Sequence, residues 1–201
     1  MKKSSFNLDE QNENIDSRIV VAMERISQAF RVLLWNESKE YSLSPIQIQI
    51  LIFLLFHSKE KAKVSYLANE FNMTKATISD SIKILLEKKL ISKTDDPNDT
   101  RSYSVTLTAA GKKIAEKSSN FSSAIEKPLG TMSENEKHIT LKVLLTLIEH
   151  LNKSGIITVQ RMCATCSLYS NENGIHYCKL LRARLLESEL RLDCPEHVAL
   201  K

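Results

Sequence analysis

MTKATISDSIKILLEKK, Met73 to Lys89, is the stretch whose reading decides the fold. Ile78, Ile82 and Leu85 recur at four- and three-residue steps, so they share one face of a helix. Lys75, Thr77, Ser79, Asp80 and Lys83 fall largely off that face. Thr74 stands where an N-cap belongs, its hydroxyl within reach of the first free backbone N–H groups. The opening turn is small and polar, which suits a helix tip entering a groove of DNA. Taken alone, an ordinary surface helix fits the same residues, and the flanks decide between the two.

Upstream, Val64 to Phe71 reads as a two-turn helix with Leu67, Ala68 and Phe71 inward. Asn72 suits the turn that joins it to the Met73–Lys89 stretch. Two helices joined so closely make a helix-turn-helix unit. Ser44-Pro45 opens the helix before it, with Ser capping and Pro at the first helical position. Residues Ile46 to Phe56 are apolar nearly all round, which predicts a central, buried helix. His57 reads as a polar residue at its C-terminus.

Further upstream, Ile15 to Ser38 carries Ile19, Met23, Ile26, Phe30 and Leu33 in alternating steps of four and three. That is the seam of a coiled coil or of a packed core helix. Residues 1–14 are polar and are expected to fray.

Downstream of Lys89 the period changes. Leu90 to Thr94 reads as a short strand, Asp95 to Thr100 as a dense turn signal, and Tyr103 to Leu107 as the return strand. The three form a β-hairpin wing. Thr108 then caps a helix expected to run to about Glu126, broken by Pro128 and Gly130. Ser133 and Glu136 form a capping box. The helix they open, ending near Asn152, carries Ile139, Leu141, Val143, Leu144, Leu145, Leu147, Ile148 and Leu151. So much hydrocarbon on one helix needs a partner surface.

Composition sets outer limits. The 201 residues have ordinary hydrophobic (42%) and charged (26%) shares, enough for one large domain or one domain with an appendage. The four glycines lie far apart, which excludes a Walker-type loop or a dinucleotide fingerprint. The net charge of +4 permits nucleic-acid binding without demanding it. No apolar core follows Lys2 and Lys3, and the longest apolar run, Ile50 to Phe56, is far short of a membrane span. A cytoplasmic protein, not attached to a membrane, is expected. No acid–base pair or nucleophile constellation stands out, so an enzyme is the weakest reading.

This order of elements resembles the MarR-type winged-helix transcription regulators over about Ile15 to Asn152. The resemblance rests on LSPIQIQIL (Leu43 to Leu51), YLANEFNMTKATISDSIKILLEKKLISK (Tyr66 to Lys93) and DPNDTRSYSVTLTAAGK (Asp96 to Lys112). The last is similar to the family's wing signature, Asp-Pro-x-Asp-x-Arg followed by a strand and Leu-Thr-x-x-Gly. The resemblance implies a mainly α (α+β) fold. After the flexible start at 1–14, it implies a dimerisation helix over 15–42, a winged helix-turn-helix domain over 43–112 and dimerisation helices over 113–153. It implies a homodimer on a pseudo-palindromic double-stranded DNA operator. Thr74, Lys75, Ala76, Thr77, Ser79, Asp80 and Lys83 would enter the major groove, and the wing, with Asp99 steadying Arg101, the minor groove.

The resemblance also implies a small aromatic or phenolic effector. Trp35, Phe30 and Tyr41 are the candidates to line such a pocket, although core packing is the reading their character favours. Two residues depart from the family's pattern. Asp80 stands where Arg is frequent, and can accept from a cytosine amino group. Lys89 stands where Gly usually closes the recognition helix, so a differently shaped helix end is expected.

Residues 154–201 lie outside the family's pattern and hold all four cysteines: Cys163, Cys166, Cys178 and Cys194. Cys163-Ala-Thr-Cys166 has the spacing of a metal knuckle, and two more thiols complete a four-sulfur set. Structural or sensory Zn(II) is the first reading, an iron–sulfur cluster the second, a metal-free thiol switch the third. His176 and His197 read as surface histidines beside the four thiols. The competing function class is a redox or metal-handling protein in which the helices are only a scaffold.

Overall fold

The computed structural model describes residues 4–96 and 99–200, with the backbone alone for residues 96 and 99–102. Eight α-helices and two small sheets lie along the described chain. A short helix α1 (Leu8–Glu13) is capped by Asn7, whose side chain accepts from the Asp9 and Glu10 amides. The stretch expected to fray therefore holds helix, because a side-chain cap satisfies its free N–H groups. Asn14 ends α1 and caps the long α2 (Ile15–Tyr41).

The buried centre is α3 (Pro45–Phe56). Ser44 and Gln47 form a capping box, Pro45 takes the first turn, and Ile48, Ile50 and Leu51 are fully buried. Around α3 pack α2, α4 (Val64–Glu70), α5 (Lys75–Glu87), the wing and α6 (Ala109–Ser118). The core they share holds Leu67, Ile78, Ile82, Leu85 and Val105, all at 1% exposure or less. Removing this much apolar surface from water is the main stabilising contribution to the fold.

The wing is the antiparallel pair β1 (Ile91–Asp96) and β2 (Asp99–Leu107), in register from Ile91 opposite Leu107 to Asp95 opposite Tyr103. Both strands run further towards the tip than the turn residues suggest, since cross-strand hydrogen bonds outweigh the local turn preference of Asp95. The base of the wing is fastened to the body by buried Ile91 and Val105 and by the Val105 amide on Ala62 O at 3.0 Å.

The helix expected from Thr108 to Glu126 is interrupted. It divides into α6 and α7 (Ser123–Leu129), with Pro128 inside the second. Between them runs Ser119-Asn120-Phe121-Ser122, whose types bond the backbone locally instead of extending a helix. The Ser119 hydroxyl donates to Glu116 O, and the Phe121 amide to Ser118 O. Ser133 and Glu136 then open α8 (Glu134–Lys153) through the expected capping box.

The end of α5 differs from expectation. Lys89 adopts the left-handed conformation, φ 57°, that the family's glycine would take. The Leu90 amide donates to Leu85 O and the Lys89 amide to Leu86 O, both at 2.9 Å, a complete Schellman closure. Burial of Leu85 and Leu90 across that closure outweighs the strain on the lysine. Lys89→Gly, on an exposed side chain, is expected to stabilise the chain by about 0.5–1 kcal/mol, the left-handed penalty less glycine's entropy. A lowered urea midpoint would show that the lysine carries an unrecognised contact.

Beyond α8 the chain folds back as a small module. Its three-stranded antiparallel sheet has the order β3 (Tyr169–Glu172), β4 (Ile175–Cys178), β5 (Ala183–Leu185). No helix among the described residues is long and apolar enough to cross a membrane.

Candidate nucleic-acid interface and cysteine module

α5 is sided as its spacing predicts. Ile78, Ile82 and Leu85 lie in the core, while Thr74, Lys75, Ala76, Thr77, Asp80 and Lys83 are exposed and Ser79 is half-buried. The first turn is rigid. Thr74 Oγ1 accepts the Thr77 amide at 3.1 Å and lies 2.8 Å from the Thr77 hydroxyl. Ser81 is tied to Thr77 O. The α4–α5 turn closes by a second Schellman arrangement, with Asn72 left-handed (φ 54°) and the Met73 amide on Ala68 O at 2.8 Å. A bare polar edge on a fixed helix with a hairpin beside it is a shape that docks into a duplex groove. The side chains of Asp99 and Arg101 lie outside the described residues; their backbones belong to β2.

The aromatic residues near the body's seam are placed differently from the core reading. Tyr41 packs on the core, but Trp35 is 53% exposed with Lys39 over its ring, and Phe30 meets Phe121 edge-on while staying 39% exposed. The long helices explain this. On α2, Ile19, Val20, Ile26, Phe30 and Val32 are bare, and on α8 so are Ile139, Val143, Leu144 and Leu151.

In the C-terminal module the Cys166 amide donates to Cys163 O at 3.0 Å, a knuckle-like turn. Cys163 Sγ accepts the Arg191 amide at 3.2 Å, and Arg191 Nη1 lies 3.9 Å from Cys194 Sγ. Tyr169, whose amide donates to Cys166 O, pairs with Cys178 across the sheet. The four cysteines are free thiols, and burial, together with the nearby charges of Cys194, Cys178 and Cys166, pushes the Cys163 thiol up. Among the described residues no three Cys, His, Asp or Glu side chains are gathered as a metal-ion shell. His176 is buried against the Tyr169 hydroxyl and His197 is bonded to Thr165, so neither is the surface histidine expected.

A cluster that sequence reasoning missed joins this module to the helix-turn-helix unit. Arg161, 8% exposed, donates to both Glu70 oxygens at 2.6 and 3.0 Å and to the Tyr66 hydroxyl at 2.8 Å, all on α4. It also forks onto Asp193, whose second oxygen is 2.9 Å from His57 Nε2 at the end of α3. Burial disfavours the Arg161 charge, but the bonds from Asp193 and Glu70 prevail and its pKa is raised. The same guanidinium holds the Asp193 carboxyl down to about 2. Nothing in the spacing of residues 57, 66, 70, 161 and 193 signals this convergence.

The arrangement of α3, α4, α5 and the two-stranded wing is that of a winged helix-turn-helix protein. Residues 41–102 match the model of the MarR family. An uncharacterised HTH-type transcriptional regulator of Bacillus subtilis, YhbI, is 27% identical over 105 residues, 50% of this chain and 68% of that one. Among solved structures, MepR of S. aureus, determined as a DNA complex, has 23% identity and a TM-score of 0.58, covering 66% of this chain and 97% of its own. A MarR protein from Peptoclostridium difficile has 22% identity and a TM-score of 0.60, with 70% and 92% covered. At these identities the structural likeness speaks for the fold.

Proposed function

We propose that this chain is a homodimeric transcriptional regulator of the cytoplasm that binds double-stranded DNA sequence-specifically. The observation that carries the reading is the siding of α5: its apolar edge is sealed in the core, while Thr74, Lys75, Thr77, Asp80 and Lys83 on its polar edge are bare. The solved DNA complex of MepR, which shares the fold, supports it. A second copy of the chain is the partner that suits the bare hydrocarbon of α2 and α8. Two-fold symmetry would then set two α5 tips on half-sites about one helical turn apart, roughly 34–36 Å.

Lys75 is the exposed cation at the tip of α5. Lys75→Ala is expected to lower the magnitude of the slope of log K against log salt by about 0.9 for each protomer whose lysine meets a phosphate. Arg101→Ala is expected to weaken binding at the wing. Both are measured by fluorescence anisotropy on a duplex the protein selects from a random pool. An unchanged slope and affinity in both variants would remove this docking.

The C-terminal module is assigned to a soft divalent cation, Zn(II) foremost, because four thiols share one small module and an amide already donates to the Cys163 sulfur. Such a cation binds thiolates, so each ligating thiol releases its proton to solvent. The thiols are not gathered into such a shell among the described residues, so binding would have to draw the sulfurs to about 2.3 Å from one ion.

A further inference from the structure

The two sides of α8 are unlike. Val143, Leu147 and Leu151 recur at four-residue steps and are exposed, the stripe offered to a second copy. Lys142, Leu145 and Glu149 stand on the opposite side, where the C-terminal module roofs the helix and leaves a cavity of about 490 Å³. Lys142 donates to Glu187 at 2.7 Å and ties the roof to the helix. The cavity therefore faces away from the stripe, and no residue of α5 or the wing lines it. Its volume is that of an ordinary small-molecule site, about 300–1,000 Å³.

Its walls are of two kinds. Leu141, Leu145, Met162, Ala164 and Leu190 give an aliphatic surface, with Leu145 and Met162 buried. Among the polar groups, both carboxylates are engaged, Glu187 by Lys142 at 2.7 Å and Glu149 by Lys153 at 2.5 Å. The donors are less committed. His176, 9% exposed, has its Nδ1 2.5 Å from the Tyr169 hydroxyl. Burial pushes the Tyr169 hydroxyl up, so the phenol keeps its proton and can donate it. With the phenol donating to Nδ1, the imidazole proton sits on Nε2, which has no hydrogen-bond partner among the described residues. The Arg191 guanidinium, on an exposed residue, engages only the Cys194 sulfur at 3.9 Å among the described residues. The spare capacity of the cavity is thus donor capacity, one imidazole N–H and one guanidinium fork beside an aliphatic wall.

We propose that this cavity binds an aliphatic monocarboxylate of medium chain length, its carboxylate on Arg191 and His176 Nε2 and its chain against Leu145, Met162 and Leu190. The reading needs no ion on the thiols and no movement of the module, because the space and the donors already stand there. A guanidinium meets a carboxylate through two parallel, charge-assisted N–H···O bonds, about twice as strong as neutral ones. Burial of the chain supplies the affinity that an ion pair in water lacks. An ammonium head would have to displace Lys142 or Lys153 from its carboxylate, and an alcohol would leave the guanidinium charge unmatched.

The test uses the full chain with isotope-labelled methionine methyls, and octanoate, octanol and octylamine as probes. Met162 belongs to the cavity wall and Met23 to the seam of α2, so the two methyl resonances separate the cavity from the bare helices. Octanoate is expected to shift Met162 saturably and to bind about tenfold or more tightly than octanol or octylamine. Arg191→Gln, on an exposed residue, should keep the native methionine spectrum and weaken octanoate by about tenfold or more, the loss of a bond to a charged group. A Met162 resonance that octanoate leaves unmoved overturns the proposal, and so does a shift of Met23 alone. Octanol or octylamine binding as tightly as octanoate overturns it, as does equal octanoate affinity in Arg191→Gln and the native chain. The DNA and metal readings fail by their own measurements and leave this result to stand by itself.

Discussion

Gly111→Ala is expected to be among the most damaging single substitutions in the domain. An ideal Cβ at Gly111 would lie 1.9 Å from Leu90 O and 2.9 Å from its carbonyl carbon, and both neighbours are backbone. The carbonyl cannot rotate away, because it accepts the Thr108 amide at 3.0 Å and the Thr108 hydroxyl at 3.1 Å. Nor can α6 retreat, since Ala115 one turn on is fully buried where α6 packs on α3. The added methyl must part the base of the wing from α6. Overpacking of this kind costs about 3 kcal/mol, the upper end of the usual range. In a chain of this size that lowers the thermal midpoint by roughly 6–12 °C. Duplex affinity should fall with it, because the wing base and the end of α5 share Leu90. A variant melting within a degree or two of the native chain would mean that the two backbones part freely.

Arg161→Met is expected to have the second largest effect. Methionine keeps the aliphatic contact near the Phe53 ring, over which the guanidinium carbon lies at 5.7 Å, but removes every donor. Glu70, with a side chain 16% exposed, is left as a poorly solvated carboxylate, whereas Asp193, 46% exposed, can turn to water. Removing one partner of a buried pair costs about 3–5 kcal/mol. The exposure of Asp193 reduces that towards the lower figure, about 3 kcal/mol. Asp193→Asn should cost less, for the same reason. Urea unfolding read by far-ultraviolet dichroism measures both. If Arg161→Met and the native chain share a midpoint, the clamp contributes no net stability. An Arg161→Met/Glu70→Leu variant separates the causes: recovered stability identifies the stranded carboxylate as the source of the loss.

Much of this fold is legible in the residues themselves. The siding of α5 follows from three apolar positions, and the starts of α3, α5, α6 and α8 follow from Ser44, Thr74, Thr108 and Ser133, each of which caps as read. Periodicity and caps are local, so a helix can be recognised without knowing its neighbours. Local signals were less reliable where helix and turn compete closely. The helix at Leu8–Glu13 and the extension of the wing strands fall in polar stretches without apolar periodicity, whereas the Ser119–Ser122 break interrupts a run in which Ala110, Ile114, Phe121 and Ile125 share one side of the expected helix.

By itself, then, the sequence determined the order of elements from α2 to the wing, the apolar edge of each long helix, the polar tip of α5 and the presence of four thiols in one segment. Tertiary structure alone decided that Lys89 would bear a left-handed backbone, that residue 111 admits no side chain, and that Arg161 would reach Glu70 and Asp193. The reason is distance along the chain. A cap or a period is written within a few residues, but His57 and Asp193 meet across 136 positions. A buried arginine carries no mark in the sequence until packing removes it from water and only carboxylates remain to hold its charge.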